Sequence, residues 1–375
     1  MGRRRGVWRA FVLLSLVSLF ADMGYEAVRG VLGAYLASVG APAWLVPLLA
    51  LAEGLSYLGR LVGGFAVAAW PWLAWPLVYA GYGAVYALAL VALVPVSLVV
   101  VLYVVERLGK GLRAPARDTL LSLLTEEIGH GRGFGLHEVF DQVGAVAGPV
   151  ILGVLAASLG VRGAILFTAV PATLALACLA AAHHYYPYRV VEAMRRRGGA
   201  GAGAAELILF GAYAFTTAAL LAYWPAVAYI LGEAGESIEA VSFLYAGAML
   251  VDAVAAMAVG ELFDRAGVWA GAAAPLLAAA SLLALRLNRL AGIVAWGVAM
   301  GSMEVLLRAV PAALLGPRGR ARAYGVLGVS VAAGWWLVSM VLEARPPLSL
   351  LAVYAAVLLA ASILSLGLLQ RLCNR

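Results

Sequence analysis

Long apolar runs alternate along the chain with short clusters of arginine, glycine and proline. A hydrocarbon layer of ~30 Å takes about 20 helical residues to cross. At that length the turn residues and charges cut the chain into twelve approximate segments. They run 8–37, 43–68, 73–94, 96–121, 135–158 and 163–182, then 206–231, 240–260, 268–285, 291–315, 324–342 and 348–370. Lipid offers no partner to backbone N–H and C=O groups, so apolar segments of this length are predicted as helices. The expected architecture is an all-α membrane protein: a six-helix half over 1–182, a linker over 183–205 and a second six-helix half over 206–375. The linker carries Arg189, Arg195, Arg196 and Arg197 and a Gly/Ala run, the composition of a flexible connection.

Composition agrees with the pattern. Hydrophobic residues make up 65% and charged residues only 12%, against about 25% charged in soluble domains. The +7 net charge would hint at nucleic acid in a soluble chain. Here the arginines fall mostly in short connections between spans, so they report topology and no nucleic-acid partner. Arg3, Arg4, Arg5, Arg9, Arg132, Arg265, Arg318, Arg320, Arg322, Arg371, Arg375 and the linker arginines lie on one side. Arg162, Arg286, Arg289 and Arg345 lie on the other, beside Glu233, Glu236 and Glu239. The positive-inside rule then sets a multi-pass protein in the cytoplasmic membrane with both termini and the linker in the cytoplasm. Arg3-Arg4-Arg5 before an apolar run resembles a secretory leader, but the run continues through Asp22 and Glu26 without a small-residue cleavage site, so a retained first span is expected. Cys178, Cys373 and four histidines have no spacing for a metal site or disulfide framework, and no cofactor is expected.

The charges inside spans carry the chemistry. Segments 75–94, 164–182, 269–284 and 348–370 hold no Asp, Glu, Lys or Arg, and are expected to face lipid. The others hold Asp22, Glu26 and Arg29; Glu53 and Arg60; a cluster from Glu106 to Asp118; Asp252; and Glu304 with Arg308. Glu53, Glu106, Asp252 and Glu304 all lie roughly 15–18 Å inside their spans, near the midplane. Repeat-built transporters place their sites at that depth. The two halves also echo each other: Glu106-x3-Lys110 with Pro115-Ala116 parallels Glu304-x3-Arg308 with Pro311-Ala312. Arg132-Gly-Phe-Gly-Leu parallels Arg322-Ala-Tyr-Gly-Val.

These motifs resemble the major facilitator superfamily over nearly the whole chain. Arg107-Leu-Gly-Lys-Gly-Leu-Arg-Ala-Pro resembles its fourth-helix pattern, and Gly144-x3-Gly148-Pro149-x3-Gly153 its fifth-helix exchanger pattern. Gly260-Glu-Leu-Phe-Asp264-Arg265-Ala-Gly267 resembles its cytoplasmic signature between helices eight and nine. Asp22-Met-Gly-Tyr-Glu26 and the stretch 106–122 resemble a prokaryotic branch with mostly unassigned substrates. The twin signature between helices two and three departs from the pattern, because Ala68 and Ala69 stand where the family carries Asp and Arg. The resemblance implies two pseudo-symmetric halves, a role in proton coupling or anion contact for Arg107, and lopsided gating.

Glu106 and Lys110, one helical turn apart, are expected to pair and to exchange partner or proton as a cavity switches sides; a static pin on the helix is the plainer alternative. Asp22 and Glu26 share a face and repel, which favours a bound proton, unless Arg29 neutralises Glu26. Glu53 and Asp252 have no base within four residues, so their partners must come from other helices. Arg113, Arg117 and Asp118 sit nearer the cytoplasm as gate candidates, with Glu138 and Asp141 either facing them or serving their own helix N-terminus. Asp264 and Arg265 complete the gate set. Gly144, Gly148 and Gly153 permit close helix approach, and Pro149 invites a bend. The expected function is secondary transport of a small organic solute by alternating access, as proton-coupled efflux or antiport. The alternatives are proton-coupled uptake of an organic anion drawn by Arg29, Arg107, Lys110 and Arg308, and, from another class, a membrane-embedded enzyme or a transporter-derived sensor. The expected partners are substrate, protons and membrane lipid, with the protein acting as a monomer.

Overall fold

A computed structural model describes residues 2–41, 45–186, 192–193, 202–222, 224, 227, 231 and 238–374. Most of the expected linker, 187–191 and 194–201, lies outside the described residues, as do Glu233 and Glu236. No strand occurs among the described residues. The helices are α1 (Gly2–Ser38), α2 (Leu45–Ala69), α3 (Ala74–Gly83), α4 (Tyr86–Leu90), α5 (Val96–Leu124), α6 (His130–Phe167) and α7 (Ala169–Tyr185). They continue as α8 (Ala204–Leu220), α9 (Ile238–Ala266), α10 (Ala273–Leu287), α11 (Arg289–Leu314), α12 (Pro317–Glu343) and α13 (Leu348–Cys373).

Local chemistry sets the breaks. Gly160 interrupts α6 with φ 71° and ψ 165°, a conformation that only glycine adopts without strain. Gly267, at φ 72°, ends α9 and starts a 3-10 turn over Gly267–Ala272. The Asn288 side chain accepts the N–H of Ala291 at 3.0 Å and caps α11. Pro149, by contrast, lies inside continuous helix, and the interruption of α6 falls at Gly160 instead.

Seven helical stretches among the described residues are long and apolar enough to cross a membrane. Two of them, His130–Tyr185 with 56 residues and Leu244–Leu287 with 44, exceed a single crossing at 1.5 Å per residue. They contain the breaks at Gly160 and Gly267. The protein is therefore a multi-pass membrane protein. Burial separates the helices: 61% of the apolar window of α11 is buried, but only 22% of that of α13, which holds no charged residue before Arg371.

The chain divides into two compact units, 1–127 with 140–198, and 128–139 with 199–375. Within the first, α5 packs on α2 and α3, and α1 on α7. Within the second, α11 packs on α9 and α10, and α8 on α12 and α13. The first turns of α6 thus belong to the second unit and the rest of the helix to the first.

Candidate functional site

The charged cluster of the first unit is built where α2 and α5 touch. Added Cβ atoms on Gly63 and Gly111 would collide with the carbonyl oxygens of Leu112 and Ser56. Glycine at these positions lets the two backbones meet. That approach carries Glu53, upstream on α2, to Arg107 on α5.

Arg107 is the centre. Its side chain is 1% exposed and that of Glu106 is 0% exposed, while Glu53 keeps 30% of its side chain accessible. Arg107 Nε donates to Glu106 Oε2 at 2.6 Å, and its Nη2 makes a second contact to the same oxygen. To Glu53 the guanidinium is looser, with Nη1 3.4 Å from each carboxylate oxygen. Two phenols complete the Glu53 shell: the Tyr103 hydroxyl donates to Oε1 at 2.7 Å and the Tyr25 hydroxyl at 3.2 Å. The Tyr25 ring lies under two cations, Arg107 Cζ at 3.6 Å from its centroid and Lys110 Nζ at 3.7 Å, an attraction that strengthens as water is excluded.

This geometry corrects the expected Glu106–Lys110 pair. Adjacent helical residues do not face each other, yet the long Arg107 side chain folds back onto Glu106. Lys110 instead points at Tyr25 of α1. The second oxygen of Glu106 lies 3.8 Å from Arg113 Nη1. Arg113, expected at the gate, therefore belongs to the buried cluster; it also donates to the Gly81 carbonyl at 3.0 Å and rests on the Tyr82 ring at 4.3 Å.

Further along α5, Arg117 binds Asp118 at 2.9 Å, approaches Asp141 of α6 at 3.7 Å and donates to Ser18 Oγ of α1 at 3.1 Å. Ser18 and Tyr82 hydroxyls share a hydrogen bond at 3.0 Å. Arg29 pairs with Glu26 at 3.3 Å near the surface, and Asp22 is half-buried nearby on α1. Gly144 and Gly148 each leave room for only a hydrogen against the carbonyls of Leu19 and Met23, whereas a Cβ on Gly153 would meet nothing within 4 Å.

The second unit holds its own cluster. Arg308 of α11 donates from Nη1 to Glu138 at 2.9 Å and from Nη2 to Glu304 at 2.6 Å. Glu138 reaches it because Gly135, one turn earlier, lies against the Ala256 carbonyl of α9. Arg308 is thus a partner of Glu138 that the sequence did not propose. Asp252 is fully buried beneath, where its own carbonyl abuts Gly301 of α11. Asp264 accepts the backbone N–H groups of Gly131 at 2.8 Å and Arg132 at 2.9 Å. Arg132 forks onto Glu261, with Nη2 at 2.6 Å from Oε1. Arg265 also binds Glu261, at 2.9 Å, from a position 75% exposed. No group of three or more metal-ligating side chains occurs among the described residues.

Tyr25, Tyr103, Tyr82 and Ser18 were not among the sequence candidates. Tyr103 lies four residues before Arg107 and so shares its helix face, a signal that spacing alone carries. Tyr25 and Ser18 come from another helix and leave no such trace.

No family model matches the chain. The uncharacterized proteins Rv2265 of Mycobacterium tuberculosis and Mb2288 of Mycobacterium bovis are each 33% identical to it over 353 residues, covering 88% of this chain and 86% of theirs. Among solved structures, the human organic anion transporter MFSD10 (TETRAN) superposes with a TM-score of 0.68 at 14% identity, over 97% of this chain and 99% of its own. The Escherichia coli fucose:proton symporter FucP gives 0.68 at 14% identity, over 96% and 98%. The proton:xylose symporter XylE gives 0.63 at 13% identity, over 97% and 95%.

Proposed function

We propose that the chain, which belongs to one family with the uncharacterized mycobacterial protein Rv2265 and shares its fold with solved major facilitator superfamily structures, is a member of that superfamily and a proton-coupled secondary transporter of a small organic solute. The observation that carries this reading is the Glu53–Arg107–Glu106 arrangement. A guanidinium shared between a sealed carboxylate and an accessible one can keep one partner while the other takes or loses a proton. Charges at this depth are expensive and default to function. Alternating access to the two sides of the membrane would expose Glu53 to either compartment in turn.

Efflux by antiport is the leading direction. It is supported by the α6 glycines Gly144 and Gly148, whose tight approach to α1 follows the exchanger pattern. A second reading is uptake of an organic anion with protons. Lys110 favours it, because its ammonium meets an aromatic ring and makes no ion pair among the described residues.

Purified protein in liposomes with an imposed pH gradient and a lumenal pH dye tests the proposal. Drugs, sugars and organic anions are added in turn. At least one class should dissipate the gradient faster than in protein-free vesicles. Proton flux that never responds to any solute would sink the coupling.

A further inference from the structure

We propose that the Glu53 carboxylate is a built-in stand-in for the cargo: Tyr103, Tyr25 and Arg107 form a carboxylate-binding site that Glu53 fills when ionised and yields to the carboxylate of an organic anion when protonated. The inference rests on the second reading above, uptake of an organic anion.

Three donors converge on one carboxylate. Tyr103 Oη gives to Oε1 at 2.7 Å, Tyr25 Oη to the same oxygen at 3.2 Å, and Arg107 Nη1 lies 3.4 Å from both oxygens. Two hydroxyls and a guanidinium edge are the donor set that recognises a free carboxylate. The site does not depend on Glu53 for its shape. Arg107 is fixed by Glu106, through Nε at 2.6 Å and through Nη2, and by the Tyr25 ring 3.6 Å from its Cζ. Glu53 is the accessible member, its side chain 30% exposed against 1% for Arg107 and 0% for Glu106. The group able to leave is also the group able to meet solvent.

Every charge around Glu53 fits this division. From α1 it faces Tyr25, with Glu26 and Arg29 paired to each other beyond it at 3.3 Å. From α5 it faces Tyr103, Arg107 and Lys110, with Glu106 behind the guanidinium. When Glu53 binds a proton, one negative charge disappears from a site whose cations remain, and a cargo carboxylate restores it. No covalent bond changes; one proton moves onto a Glu53 oxygen, and the three donors change acceptor. Proton and anion then occupy the site together, which makes cotransport one to one.

The test uses the full chain in detergent with acetate, benzoate and succinate as probes, binding read by calorimetry between pH 5 and 8. Wild-type affinity for at least one probe should rise as pH falls, by up to tenfold per pH unit, the limit for one linked proton. In Glu53→Gln the stand-in charge is gone, so the affinity should equal or exceed that of wild type at pH 5 and lose its pH dependence. Adding Tyr103→Phe to Glu53→Gln, where Tyr103 no longer serves a competing carboxylate, should weaken binding of the same probe ~10-fold. No binding by Glu53→Gln at any pH, or binding that keeps the wild-type pH dependence, would overturn the inference. So would an unchanged affinity when Tyr103→Phe is added to Glu53→Gln. Gradient dissipation in liposomes reads the transport proposal separately: flux with some other solute but no carboxylate binding defeats only the stand-in, and binding without flux defeats only the transport.

Discussion

Asp264, at the end of α9, accepts the backbone N–H of Gly131 at 2.8 Å and so caps α6 from a different helix. The first amides of a helix have no partner of their own, and the positive end of the helix dipole faces the carboxylate. The next amide, of Arg132, binds the other oxygen at 2.9 Å. Gly129, with φ 104°, leaves the space this carboxylate fills.

Asp264→Ala removes both acceptors at once and is expected to cost ~1–2 kcal/mol, the range for a lost cap. Asp264→Asn keeps one acceptor oxygen and should lose less. Denaturation midpoints of the two variants in detergent check the order. Equal midpoints for Asp264→Ala and wild type would show that water serves those amides as well as Asp264 does.

The α6 glycines make a paired prediction. Ala at Gly144 or Gly148 would drive a methyl into the carbonyl of Leu19 or Met23, and overpacking of this kind costs ~1–3 kcal/mol. Gly153→Ala meets nothing within 4 Å and should be neutral or slightly stabilising, since alanine is the better helix former. Unfolding of the three single variants side by side is the measurement. A destabilised Gly153→Ala together with a tolerant Gly148→Ala would reverse the assignment of which glycines touch α1.

What the sequence made legible follows from reach along one helix. Spacings of three and four residues announced the Arg29–Glu26 and Arg308–Glu304 pairs, which close at 3.3 and 2.6 Å. The same rule offered Lys110 to Glu106 and failed, because Arg107 is longer, lies closer and presents a planar fork. The partners of Glu53 were beyond such reasoning: Tyr25 and Arg107 sit 28 and 54 residues away, joined only by the crossing of α1, α2 and α5. Gly111 stands in the fourth-helix motif, but nothing in the spacing tied it to Gly63 or to the α2–α5 contact that the two permit. The stretch from Gly260 to Gly267 was readable as a charged motif, but its use of Asp264 on backbone amides of α6 is a tertiary fact.

Burial separates the two acids bound to Arg107. Glu106→Gln leaves a nearly sealed guanidinium without its closest anion, since the Glu53 contact is longer at 3.4 Å. It should lower stability by ~1–3 kcal/mol, the cost of weakening a buried charged hydrogen bond. Glu53→Gln, at a more accessible position, should be milder in unfolding but alter the pH dependence of transport. Thermal unfolding and pH-gradient assays on both variants separate these roles. A Glu106→Gln variant that melts like wild type yet carries no proton flux would move the proton from Glu53 to Glu106.

Arg308 holds two carboxylates, Glu138 at 2.9 Å and Glu304 at 2.6 Å, with 11% of its own side chain exposed and 4% and 23% of theirs. Removing the arginine takes from the nearly buried Glu138 the cation it meets at 2.9 Å, and breaking a buried ion pair costs ~3–5 kcal/mol. Arg308→Met should therefore be the most damaging of these changes. Glu138→Gln, which leaves Arg308 paired with Glu304, should cost less than half as much. In the double variant Arg308→Met with Glu138→Gln the carboxylate that lost this cation is gone, so much of the lost stability should return. A double-mutant cycle on unfolding free energies measures that recovery. Strict additivity of the two changes would show that Glu138 and Arg308 act independently.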